Sequence, residues 1–490
     1  MKTKGLYPER VFYFFEEISK IPRGSKKEEK ISNWIVNFAK ERNLNVFQDE
    51  SLNVIIYKPA TKGYEEFSPL IIQGHMDMVW EKNRDTNFDF ETQGIDLIIE
   101  NNVIKANKTT LGADNGIAVA YALALLDSND IKHPALEILI TTDEEAGMSG
   151  VSNLDPSLFN GHTLLNIDTE DYGEIYVSSA GGSRVKNVFE LTKEKIETHT
   201  NHHFFSIDVK GLKGGHSGTD IDKNLGNANK ILGDILYHIT KKYNFNIISL
   251  NGGDKMNAIP REAIAILNVD LSTSTSEDFK TLISLATDVF KKEYSKTDSN
   301  LEIEVRELNK EYKEQFTSSD SLKIINFLHN FPNGVVSMSK NIENLVETSL
   351  NLGVIKASST KLSIESLLRS SVVSSLTDLE NSLIQLSKEY NTVSKVDTAY
   401  SPWEYNKNSE LRILFEEAFT VLTHENPKIM AIHAGLECGI LVSKIKDLDV
   451  ISIGPNIRGA HTPEEYMEID SVGKTWDVII KALEIYNIKG

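Results

Sequence analysis

Apolar residues recur along this chain with two spacings, and the change from one to the other organises it. In "MKTKGLYPERVFYFFEEISK" an apolar run is broken by Glu16, Glu17 and Lys20, the pattern of an amphipathic helix. In "GSKKEEKISNWIVNFAKERN" Ser25 and Glu28 stand as a capping box ahead of Ile31, Trp34, Ile35 and Phe38 at helical spacing. Short apolar runs follow at 53–57, 69–73, 135–141 and 163–167, and "NGIAVAYALALL" at 115–126 reads as a buried helix of small residues. Strands alternating with helices predict an α/β fold whose sheet contains several parallel strands.

The texture changes after "SSAGGSR" (178–184), which reads as a Gly/Ser break. Amphipathic strands and longer charged helices follow, such as "SEDFKTLISLATDVFKKEY" at 276–294. A second break is expected at "VDTAYSPWEYN" (396–406). Beyond it a helix at 409–422, a strand at 449–454 and a helix at 471–486 restore the first texture. The expected organisation is one domain of residues 1–185 and 402–490, a mixed sheet with helices on both faces, carrying an inserted α/β domain of residues 186–401. The insert itself reads as two α/β units, about 186–310 and 311–400, in succession.

Composition narrows the function. A chain of 490 residues, 40% of them apolar, has the length of about three domain-sized units and can bury a substantial core. A formal net charge of −19 argues against nucleic acid or an anionic membrane as partner. The single cysteine, Cys438, allows no intrachain disulfide and argues against a thiolate zinc site; it reads as a small buried apolar group in a cytoplasmic protein. No stretch reaches the roughly 18 continuous apolar residues of a membrane span.

Charged residues stand where the apolar runs end. In "LIIQGHMDMVWEKN" His75 and Asp77 close a run, and residues two apart on a strand share a face. "TTLGADNGIAVA" sets Asp114 before a helix, "ILITTDEEAGMSG" sets Asp143, Glu144 and Glu145 at a strand end, and "TLLNIDTED" does the same with Asp168. "ISIGPNIRGAHTPEEY" adds His461 in a loop after a strand. Ligands of open α/β sheets bind outside the carboxyl ends of parallel strands, which would gather all five clusters on one rim. Carboxylates so crowded raise one another's pKa, and a bound divalent cation removes the difficulty. His75, Asp114, Glu145, Asp168 and His461 suit zinc, manganese or cobalt better than calcium. They are too many for one tetrahedral zinc and suit two cations about 3.5–4 Å apart, with Asp114 as the bridging carboxylate. Asp77 would orient His75, and Glu144 would serve as the general base toward a water held at the site.

"GHMDMV", "LGADNGIA", "TTDEEAGMSG", "NIDTED" and "RGAHTPEE", in that order, resemble the motifs of the di-zinc aminoacylase/carboxypeptidase-type metallopeptidases. "GLKGGHSGTDI", "NAIPREA" and "HAGLECG" are similar to the branch of the aminoacylhistidine dipeptidases, also called peptidase D or cytosol non-specific dipeptidases. The resemblance spans the chain. It implies a cytoplasmic dipeptidase of broad specificity, Xaa-His dipeptides included, holding two divalent ions, with zinc foremost and cobalt or manganese as alternatives. It implies that His75, Asp114 and Asp168 hold one ion, that Asp114, Glu145 and His461 hold the other, and that Asp77 and Glu144 form the catalytic pair. It further implies that the insert acts as a lid, with His216 approaching the substrate carbonyl, Asn257 and Arg369 holding the substrate and Gly435 lining the pocket. Both a homodimer and a self-sufficient monomer fit. Rival readings are a tripeptidase or N-acyl-amino-acid deacylase of the same family, and a metal-binding protein without turnover.

Overall fold

The computed structural model describes residues 1–196 and 202–489. The chain forms two compact units: Met1–Ser178 with Tyr405–Ala431 and Leu436–Gly490, and Ser179–Glu404 with Ile432–Gly435.

The first unit is built on a mixed eight-stranded sheet. Its centre is parallel: Leu136–Thr141, Leu70–His75, Thr163–Asn166 and Asp449–Ser452 lie side by side in that order. These strands are apolar on both faces and almost wholly buried, as parallel strands covered by helices must be. Helix Ala113–Asp127, apolar on every side, packs on the Leu70–His75 strand. Gly74 makes room for it, since a Cβ there would lie 2.5 Å from Ala118 Cβ. A smaller four-stranded sheet joins Leu97–Glu100 and Val103–Ala106 to the hairpin of Ile457–Arg458 and Tyr466–Glu468.

In the second unit the main sheet is antiparallel. Its strands run in the order Glu302–Glu307, His202–Lys210, Ala263–Asp270, Phe245–Gly252, Val346–Ala357, Lys361–Ser370, Gly181–Glu190, Val393–Tyr400, and Gly334–Met338 also pairs with Val346–Ala357. The order mirrors itself about the central junction, where Asn251 faces Lys356 and Gly252 faces Ile355. Each half contributes four of the strands and two helices, Ala228–Ile239 and Ser276–Glu293 in one, Ser318–Asn330 and Val373–Glu389 in the other. The halves are nested rather than successive. The Gly181–Glu190 strand precedes the first half in sequence yet pairs inside the second.

Two local expectations change. The 178–184 stretch is not a loop: strands Glu174–Ser179 and Gly181–Glu190 adjoin there, and Val393–Tyr400 is likewise a strand. The glycines serve close approach, since a Cβ on Gly181 would lie 2.4 Å from Pro402 N and one on Gly182 2.6 Å from the Tyr400 ring. Ser25 and Glu28 form no capping box either. Helix Glu29–Glu41 begins without a side-chain cap, because both groups are taken by tertiary partners described below.

Candidate active site

Within the first unit the charged motifs converge at the carboxyl ends of the parallel strands. His75 ends its strand with a side chain 1% exposed. Its Nδ1 faces Asp77 Oδ1 at 3.3 Å and the Asp77 carbonyl at 3.2 Å. A proton donated on that side directs Nε2 toward Asp114 Oδ1 at 3.2 Å and Asp168 Oδ1 at 3.4 Å. On the other side of Asp114, Oδ2 lies 3.2 Å from His461 Nε2, which is 2.8 Å from Glu145 Oε2. Two groups of potential ligands result, His75/Asp114/Asp168 and Asp114/Glu145/His461, each with its ligand atoms within 4.8 Å of one another. Asp114 belongs to both. Its place is set by Asn115, whose side chain accepts from His75 N at 3.2 Å and donates to the Ile167 carbonyl at 2.6 Å, tying the helix start to two strand ends. Glu144 belongs to neither group; its Oε2 lies 3.9 Å from His75 Nε2.

The electrostatics show what such a cluster lacks. Burial pushes Asp168 up to about 6, with Asp114 and Glu145 adding to the rise. Burial also holds Glu144 well above the usual carboxylate range, helped by Asp168, Glu437 and Glu145. Hydrogen bonds to Asp114 and Glu145 push His461 up to about 11. Burial works against a charge on His75, but Asp168, Asp114 and Asp77 outweigh it and hold the ring well above its ordinary value. Glu145 Oε1 is buried without a hydrogen-bond partner. The carboxylates gather whatever positive charge they can reach. Imidazole and carboxylate donors in this number fit borderline divalent cations, which would take the place of those protons.

Asp77 does more than orient an imidazole. Its Oδ1 accepts the main-chain N–H of Glu144 at 3.1 Å, and its Oδ2 accepts that of Glu145 at 3.3 Å and the Ser25 hydroxyl at 2.7 Å. Glu28 Oε1 accepts the N–H of Asp143 at 2.9 Å, in a turn where Asp143 has φ +56°.

In the second unit Arg369 lies between His216 and Tyr400, and Gly435 lies against the tyrosine. Arg369, 3% exposed, donates from Nη1 to Tyr400 Oη at 2.5 Å. The Tyr400 ring is seated against Gly435, where a Cβ would lie 2.6 Å from it. Among the described residues no carboxylate pairs with Arg369, and its Nε is buried without a partner. His216 Nδ1 accepts the N–H groups of Gly218 at 3.3 Å and Thr219 at 3.2 Å. Burial and the nearby Arg369 lower its pKa, and with Nδ1 accepting two N–H groups the neutral ring carries its proton on Nε2. That nitrogen faces Arg369 Nη2 at 3.4 Å, two donors with no acceptor between them. Asn257 adjoins His216 across a short ribbon, where its carbonyl accepts from Ser217 N at 2.9 Å; its own side chain is exposed.

Residues 71–485 match peptidase family M20/M25/M40. The chain belongs to this family. It is 36% identical over 479 residues, 98% of each chain, to the cytosol non-specific dipeptidase of Escherichia coli (strain K12). The crystal structure of aminoacylhistidine dipeptidase from Vibrio alginolyticus superposes with a TM-score of 0.93 at 36% identity, covering 100% of both chains. Aminopeptidase PepT from Bacillus cereus shares the fold, with a TM-score of 0.57 at 15% identity over 98% of each chain.

Several buried polar groups of this M20 peptidase escaped the sequence reading. Arg23 is 1% exposed and donates to main-chain carbonyls, from Nη1 to Met76 at 3.0 Å and from Nη2 to Gly112. Glu437 is fully buried, accepts from Gln73 at 2.6 Å and Thr141 at 2.7 Å, and is pushed by burial up to about 8. Glu465 binds main chain alone. Arg23 and Glu465 stand within motifs rich in charge, "IPRGSKKEE" and "HTPEEY", where no spacing distinguishes a buried member from its exposed neighbours.

Proposed function

We propose that this M20 peptidase hydrolyses dipeptides in the cytoplasm, with a broad range that includes Xaa-His substrates, using two divalent cations, zinc foremost and cobalt or manganese as alternatives. The observation that carries the reading is the pair of ligand groups sharing Asp114, with Glu144 beside them and in neither. The names of the two relatives at 36% identity support the substrate class.

His75, Asp114 and Asp168 would hold one cation, and Asp114, Glu145 and His461 the other. Bound there, the cations would supply Lewis acidity toward the scissile carbonyl and make an attacking water more acidic. Glu144 takes the proton of that water and passes it to the leaving amine, a task suited to a carboxylate that stands beside both ligand groups and belongs to neither. Asp77 keeps the His75 ring turned with Nε2 free and holds the main chain on which Glu144 and Glu145 stand.

Arg369 and His216 recognise substrate oxygen. Two facing donors without an acceptor are an arrangement that one oxygen of a ligand completes. A buried guanidinium without an anion suits the free carboxylate that distinguishes a dipeptide from a longer chain. His216, as a neutral Nε2–H donor, can steady a developing oxyanion. Asn257 would assist in holding the substrate, and Gly435 keeps space beside Tyr400.

A panel of dipeptides, tripeptides and N-acetyl amino acids, assayed on protein reconstituted with zinc, cobalt or manganese, tests the reading. Dipeptides are expected to give the highest kcat/KM. Preference for tripeptides or acyl amino acids would move the chain to a sibling reaction, and cation binding without turnover of any substrate would make it a non-catalytic binder.

A further inference from the structure

Glu465 lies in the same hairpin loop as His461, between Ile457–Arg458 and Tyr466–Glu468, and is 2% exposed. Its Oε2 accepts the main-chain N–H of Leu111 at 2.7 Å and Gly112 at 2.9 Å, and its Oε1 those of Ala113 at 2.8 Å and Asp114 at 3.3 Å. These residues lead into helix Ala113–Asp127, whose first N–H groups have no partner within the helix. A carboxylate more than three hundred residues along the chain supplies one.

Gly112 is held through its carbonyl by Arg23, which also donates to the carbonyls of Met76 at 3.0 Å and Asp77 at 3.3 Å. Space there is tight. A Cβ on Gly112, where φ is +70°, would lie 2.5 Å from Arg23 Nη2, and one on Gly116 would lie equally close, at 2.5 Å. Arg23 and Glu465 thus bracket the segment that presents Asp114.

We propose that Glu465 is a positioning residue for the two-cation centre. By binding the N–H groups of 111–114 it sets the angle at which Asp114 offers Oδ1 to the His75 group and Oδ2 to the His461 group. It also couples that setting to the loop that carries His461. The proposal rests on reading the two groups as a cation site, and it implies an asymmetry. The partners of Asp114 in the first group, His75 and Asp168, stand at the ends of central strands. His461 depends on the loop that Glu465 anchors. Loss of Glu465 therefore weakens the Asp114/Glu145/His461 position more than the His75/Asp114/Asp168 position.

Glu465→Gln keeps the size of the side chain but turns an NH2 group toward main-chain donors. Chelator-stripped wild type and variant are titrated with Co²⁺, followed by its visible absorption and by equilibrium dialysis. Wild type is expected to bind two ions per chain. The variant is expected to keep one near wild-type affinity and to bind the other about 10–100-fold more weakly, the range for groups that orient a ligand. Two unchanged affinities, or equal weakening of both, would overturn the proposal. Fewer than two ions on wild type would instead overturn the cation reading beneath it. Should the variant not fold, hydrogen exchange of metal-stripped wild type decides: the amides of 111–114 are expected to be protected before any cation binds, and rapid exchange there would overturn the preorganisation.

Discussion

Asp77 accepts the main-chain N–H groups of Glu144 at 3.1 Å and Glu145 at 3.3 Å, of which Glu145 belongs to the group around His461 and Glu144 to neither group. One carboxylate thereby fixes the His75 ring and the turn that aims both glutamates. Asp77→Asn places an amide NH2 against one of these donors. It should lower kcat/KM by about 10–100-fold, the range for groups that orient metal ligands. Steady-state kinetics on cation-saturated protein, with the unfolding midpoint as a check on folding, measures it; a change under twofold would limit Asp77 to a structural role.

Glu144 and Glu145 should separate by substitution. Glu144→Gln retains size and polarity but cannot take a proton, so kcat should fall by roughly 10²–10⁴ with cation content unchanged. Glu145→Gln should lose one of two bound ions, because its Oε2 lies beside His461 Nε2. Elemental analysis alongside kinetics distinguishes them, and equal loss of ions from both variants would show the base to be misassigned.

Arg369 should be worth most to substrates with a free carboxylate. The guanidinium fork can pair both carboxylate oxygens, which lysine cannot. On a dipeptide, kcat/KM should fall in the order wild type, Arg369→Lys, Arg369→Met, with about 2–5 kcal/mol lost in the last. Amidating the substrate's C-terminus should cost wild type heavily and the Met variant little. Equal costs in the two proteins would remove Arg369 from carboxylate recognition.

His433 gives the second unit an acid sensitivity. Burial, with Arg369 and His216 adding to it, lowers its pKa from 6.5 to about 3, and Ser349 Oγ lies 2.7 Å from its Nε2. The folded value is below the unfolded one, so between about pH 6.5 and 3 the unfolded chain binds more protons. Stability therefore falls as pH drops through that window, by up to about 2 kcal/mol from this residue by pH 5. His433→Gln removes the titration. Urea unfolding at pH 7 and pH 5 should show a smaller acid loss in the variant than in wild type; equal losses would mean that His433 is protonated in the folded state.

The buried strands and the charged residues at their ends are legible for one reason. Leu70–His75, Leu136–Thr141 and Thr163–Asn166 are largely apolar runs, and a charged residue at the end of such a run announces itself. Groups whose partners lie far along the chain were not legible. Ser25 and Glu28 have the composition of a helix cap, but Asp77 and the N–H of Asp143 take them instead. Gly181 and Gly182 look like a break because local pattern cannot show the Pro402 backbone and Tyr400 ring they admit. The nesting of the second unit rests on the long-range pairing of Gly181–Glu190 with Lys361–Ser370, which leaves no periodicity to read. Glu465 is hidden for the same reason, since its partners are main-chain N–H groups at 111–114.

The central claim is that hydrolysis depends on cations held by the two groups around Asp114. The most direct measurement is the rate of hydrolysis of one dipeptide by chelator-stripped protein, before and after zinc, cobalt or manganese is added back. Activity is expected to be lost on stripping and to return as the second equivalent of ion per chain is bound. A stripped protein, free of transition metal by elemental analysis, that hydrolyses the dipeptide at the original rate would contradict it.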